Sequence, residues 1–180
     1  FQNTRLLTMR TVEKYQGFEV GPIRPPSEAR SLLLRITRNC PWNRCKFCGL
    51  YKGEKFSLRP VDHILKDIDA IRFFVDQIQQ IMKSPGGGKH HELTALHAGR
   101  SKNEQMAFHV ALNWYRGGMT SVFFQDANSL IIKPDYLVEI LLYIRKYFPQ
   151  VERITSYARS HTVARISDED MDRIAEAGLN

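Results

Sequence analysis

Short, nearly continuous apolar runs alternate along this chain with longer segments whose apolar residues return every three or four positions, and few architectures accommodate that alternation. Residues 31–37 (SLLLRIT) form the first run, of the kind expected for a strand buried on both faces. Residues 120–124 (TSVFF) form the second, and residues 154–157 lie in a third. Between the first two, Val61, Ile64, Leu65, Ile68, Ile71, Val75, Ile78 and Ile81 mark one face of a helix over 61–82, with Pro60 suited to its start. A second helix is expected from Asn103, as N-cap, to Arg116, stopped by Gly117 and Gly118. A third begins near Lys133 and Pro134 and carries Leu137, Ile140, Leu141 and Ile144. The last is capped by Ser167 near Asp170 and ends at Gly178. Strands separated by helices imply a parallel sheet, so the class is α/β.

The Pro-rich stretch 21–26 cannot continue a helix or a central strand, so residues 1–30 read as a lead-in segment. Residues 83–102, opening with Ser84-Pro85-Gly86-Gly87-Gly88, read as a flexible insertion. That glycine run lacks the spacing and the following Ser or Thr of a phosphate-binding loop. His90, His91 and His97 read as exposed loop residues, since adjacent histidines point in different directions. At 180 residues one domain is expected, and about three strand–helix units fit where a closed eight-unit barrel takes about 250 residues. No apolar run approaches the roughly 20 residues that cross a bilayer, and no signal-peptide pattern opens the sequence, so a cytoplasmic location without membrane contact is expected.

Chemistry concentrates in one place. Cys40-Pro41-Trp42-Asn43-Arg44-Cys45-Lys46-Phe47-Cys48 holds all three cysteines of the chain within nine residues. An odd, tightly clustered set argues against a disulfide framework and for thiolates converging on a metal. Three thiols on one loop suit three corners of a [4Fe–4S] cube and leave the fourth iron open to a small molecule. The loop follows the first strand, where parallel α/β folds gather their ligands.

These residues resemble the radical SAM superfamily, whose usual signature has three residues between the first two cysteines and an aromatic immediately before the third, here Phe47. The wider stretches IRPPSEA, TRNCPWNRCKFCGLYKGEKFSLRP, FFQDANSL and RITSYARS are similar to the Elp3-like branch over residues 20–180. The first cysteine spacing is one residue longer than the common pattern, which adds about 3.5 Å of reach. The resemblance implies that residues 31–180 are the N-terminal part of a partial parallel (β/α) barrel. It implies Cys40, Cys45 and Cys48 as ligands of a [4Fe–4S] cluster, with S-adenosyl-L-methionine on the open iron. Reductive cleavage would give a 5′-deoxyadenosyl radical that abstracts a substrate hydrogen, with electrons from a partner such as a flavodoxin or ferredoxin. By position, Phe47, Asp126, Asn128, Ser156 and Arg159 are the residues expected to bind this cofactor, although the Gly-Gly-Glu-like motif usual beside Asp126 is not present as such. Two alternatives stay open from the sequence. One is a non-enzymatic zinc or iron–sulfur module completed by His63. The other is an RNA-modifying enzyme of the same chemistry, suggested by the net charge of +7, although the basic residues are scattered.

Overall fold

The computed structural model describes residues 13–180. Its strands are β1 (Leu32–Arg35), β2 (Thr37–Arg38), β3 (Ser57–Leu58), β4 (Ser121–Gln125) and β5 (Arg153–Ser156). Its α-helices are α1 (Val61–Lys83), α2 (Lys89–His97), α3 (Lys102–Arg116), α4 (Pro134–Tyr147), α5 (Ser160–Val163) and α6 (Asp168–Glu176). Strands β1, β4 and β5 make a parallel sheet in that order, with Leu34 opposite Phe124 and Phe124 opposite Ser156. The molecule is therefore mixed α/β around a small parallel sheet. Among the described residues no helix is long and apolar enough to cross a membrane.

Side chains alternate across a strand, and here the two faces differ. Leu32, Leu34, Val122, Phe124 and Ile154 point into one apolar core shared with α1, α3, α4 and α6. The opposite face carries Leu33, Phe123 and Thr155 in one row and Arg35 beside Gln125 in the next. The expected strand buried on both faces is thus corrected for β1. Its burial alternates, because the helices lie against one side only and the lead-in segment crosses the other. Gln125 fastens that segment: its Oε1 accepts from the Gly21 amide at 2.8 Å and its Nε2 donates to the carbonyls of Gly21 and Ile23. A Cβ at Gly21 would lie 2.2 Å from an Asp126 carboxylate oxygen, so only glycine permits the approach. Residues 1–12 of the expected lead-in lie outside the described residues.

Helix α1 buries Ile64, Ile68, Ile71, Val75 and Ile78, the stripe its spacing predicts, and Phe74 widens it. In α3 the cap is Ser101 and not Asn103. Its hydroxyl accepts from the Glu104 amide while Glu104 reaches back to the Ser101 amide, a reciprocal box that satisfies two free helix donors. Trp114, near the end of α3, is fully buried, donates its indole N–H to the Ser121 carbonyl at 2.8 Å, and meets Phe148 edge-on. Residues 83–102 are not structureless: α2 occupies nine of them, entered through Gly88 in the left-handed region. Ser167 caps α6 through the Asp170 amide, and Gly178 follows it at φ +107, both as the sequence predicts.

Candidate cysteine-loop site

The three parallel strands deliver their C-terminal ends to one edge, and the thiols leave from β1. Past Arg35 the chain pairs β2 with β3, Thr37 against Leu58 and Arg38 against Ser57, which closes residues 39–56 into a loop. Inside it, Asn39 (φ +67) and Asn43 (φ +43) adopt the left-handed conformation that a short polar side chain tolerates. Asn39 Nδ2 donates to the Lys55 carbonyl at 2.7 Å, Asn43 Nδ2 to that of Tyr51, and Lys52 Nζ to that of Asn43 at 3.0 Å. The Asn43 amide points at Cys40 Sγ, 3.4 Å away.

Asp126, the residue after β4, pins this loop to the sheet. It has no solvent-exposed surface. One carboxylate oxygen accepts from Arg35 Nε and from the Asn39 amide, each at 2.9 Å, and Arg35 Nη2 lies 2.8 Å from it as an ion pair. The other accepts from the Tyr51 hydroxyl at 3.1 Å. Burial pushes the Tyr51 hydroxyl well above its ordinary pKa, and the adjacent Asp126 charge pushes it further the same way. Asp126 is also among the residues expected by position to bind the cofactor. In the structure its oxygens accept from three protein donors, one each from Arg35, Asn39 and Tyr51.

Below this clamp lies a charge network that the sequence reading missed. Arg38 grips Glu19 with two N–H groups, and Arg35 lies 3.5 Å from the same carboxylate. Arg59, wholly buried, donates to the Arg35 carbonyl and to Asp67 at 2.7 Å, and Tyr15 donates to the other Asp67 oxygen at 2.7 Å. Burial pushes Glu19 up, but hydrogen bonding by Arg38 and the charges of Arg59, Arg38 and Arg35 outweigh it and hold Glu19 below its usual value. Burial wins at Asp67, whose pKa is raised despite Arg59. The only available signal was the excess of arginine in residues 35–59, and that gives no partner.

The other expected residues fall around the same edge. Asn128, fully buried, donates to the Thr162 hydroxyl at 2.9 Å and accepts from the Arg159 amide at 3.0 Å, which fixes the segment between β5 and α5. The Ser156 hydroxyl donates to the Tyr157 carbonyl at 2.9 Å, a satisfied turn hydroxyl. The Arg159 guanidinium lies 4.7 Å from the centre of the Trp42 ring, which Arg44 also approaches at 5.4 Å. Trp42 thereby joins the cysteine loop to the β5 loop. Phe47 stands 93% exposed.

Cys40, Cys45 and Cys48 are free thiols at intermediate exposure. Among the described residues no three His, Cys, Asp or Glu side chains are gathered at one point that could hold a metal ion. The thiols share a loop without converging. Their chemistry nevertheless fits an iron–sulfur cluster: the donors are soft thiols only, they number three, and they sit on a segment without helix or strand between fixed ends. His63, the imidazole that would complete a zinc site, is packed on α1 against Tyr15 with ring centres 5.3 Å apart and is 3% exposed. His90, His91 and His97 belong to α2, and His97 stacks on Phe108 at 4.5 Å.

No family model matches the chain, and comparison with curated proteins and with solved structures finds no match either.

Proposed function

We propose that this chain is the cysteine-bearing part of a radical SAM enzyme, with Cys40, Cys45 and Cys48 holding a [4Fe–4S] cluster. The observation that carries the reading is the placement of three free thiols on one loop at the C-terminal edge of a parallel sheet, the loop being tied at its base and pinned by a buried carboxylate. When bound, the cluster would supply one-electron reductive cleavage of S-adenosylmethionine, with electrons from a flavodoxin- or ferredoxin-like donor. The protein's own part is positional. Asp126, through Asn39 and Tyr51, holds both flanks of the thiol segment, and Asn128 holds the loop that presents Arg159. Half-exposed Cys45 and Cys48 and the exposed Phe47 leave that face open to a second molecule.

The sheet supports the finer architecture of a partial (β/α) barrel. Its strand order follows the sequence without reversal, so it has no switch point of the doubly wound kind, and its helices share one core on one face. Anaerobic reconstitution with iron and sulfide tests the function. We expect a brown protein that forms 5′-deoxyadenosine from S-adenosylmethionine on reduction, and a Cys45→Ala protein that does neither. A colourless wild-type protein that takes up one zinc instead would overturn the reading.

A further inference from the structure

A cavity of about 760 Å³ opens at the same sheet edge, between Trp42 of the cysteine loop, the turn after β4 and the segment from Arg159 to Ile166. That volume lies within the range of small-molecule sites, about 300–1,000 Å³. Leu130, Ile132 and Ile166 give it an apolar floor. Its charges are unbalanced. Lys133, Arg159 and Arg165 line it against one carboxylate, Asp170, which already accepts from Arg173 at 2.8 Å. Among the described residues none of the three cations has an ion pair; the side-chain partners shown are aromatic faces, Trp42 for Arg159 and Tyr136 for Lys133. The frame is rigid, because buried Asn128 is bonded both to the Arg159 amide and to Thr162.

We infer that this cavity binds the phosphate group of a small phosphorylated molecule whose apolar or ring-shaped body lies on the Leu130–Ile132–Ile166 floor, and that this molecule is the enzyme's substrate. The substrate assignment rests on the radical SAM reading; the binding site does not. Three cations lining a cavity with one carboxylate, itself bonded to Arg173, match a dianion better than a monoanion, and guanidinium forks suit phosphate oxygens. The cavity touches the cysteine loop through Pro41 and Trp42, so its occupant lies beside the thiol segment.

Ligand-observed NMR titration of the full chain, without iron or S-adenosylmethionine and in about 0.15 M salt, compares phenyl phosphate, phenylacetate and benzyl alcohol. We expect phenyl phosphate to bind about tenfold more tightly than the alcohol, with phenylacetate between them. Arg165→Glu and Lys133→Glu, both at exposed positions, should abolish that preference, while Lys83→Glu at the end of α1 should leave it intact. Equal binding of all three compounds, equal binding of phosphate and carboxylate, or equal loss in Lys83→Glu would overturn the inference. If phenyl phosphate binds as expected but reconstituted protein forms no 5′-deoxyadenosine, the phosphate site stands and the enzyme reading falls. If 5′-deoxyadenosine forms without a phosphate preference, the site alone is refuted.

Discussion

Replacing Asp126 by alanine removes three hydrogen bonds and the ion pair with Arg35 from a position with no solvent exposure. Removing one member of a buried pair costs about 3–5 kcal/mol, mostly because the partner charge is stranded. Arg35 is not fully stranded, since its side chain is 15% exposed and Glu19 lies 3.5 Å away, so the low end applies. With a loss of about 3 kcal/mol and a urea slope of about 2 kcal/mol/M, the unfolding midpoint should fall by about 1.5 M. Tyr51→Phe deletes one of the three bonds and should cost about 1 kcal/mol. Because Tyr51 and Asn39 belong to the cysteine loop, loosening should appear there first. Thiol-reagent kinetics on folded Asp126→Ala should show Cys40, Cys45 and Cys48 reacting faster than in the wild type, whereas a variant destabilised elsewhere to the same extent should not. An unchanged urea midpoint together with unchanged thiol reactivity would refute the assignment of Asp126 as the loop's anchor.

Ser101→Ala should lower stability by about 1 kcal/mol through loss of the α3 capping box, measured by urea unfolding, with no change in thiol reactivity. The Glu28–Arg153 pair predicts an acid limb. Burial pushes the Glu28 carboxyl up, but hydrogen bonds from Arg153, Ser31 and Thr155 together hold it below its usual range. Its folded pKa is therefore depressed, so the stability it confers is present above the unfolded value of about 4.5 and is lost as pH falls through the lower folded value. Glu28→Gln should flatten that limb in unfolding curves taken from neutral pH downward; an unaltered limb would show that other carboxylates set it.

How much of this was readable in the sequence depended on how local each signal was. The α1 stripe, the Ser167 cap and the Gly178 stop are decided within one or two helical turns, and each falls where the pattern puts it. The Ser101 cap was equally local, written as Ser101-Lys102-Asn103-Glu104, and reading Asn103 as the cap overlooked the glutamate three residues on. Strands β2 and β3 have two residues each, too short for any periodicity, and exist because their ends meet. Helix α2 buries no residue and has no apolar face to announce it. The thiols were conspicuous as chemistry. The duty of Asp126 was not, because its donors Arg35, Asn39 and Tyr51 lie 75 to 91 residues away in the chain.

The closure of residues 39–56 by β2 and β3 also sets where the cost of gathering the thiols falls. Bringing distant ends together is the slow, entropically expensive part of building a loop, and the fold has completed it before any ligand arrives. What remains is a rearrangement of a few residues around Cys45 and Cys48 within a ring already fastened at both ends. The sheet need not shift for the ring to change shape. A fold built this way isolates its scaffold from its chemistry: loading or stripping the loop should be a local event, legible in hydrogen exchange over residues 40–53 and silent in the strands that carry it.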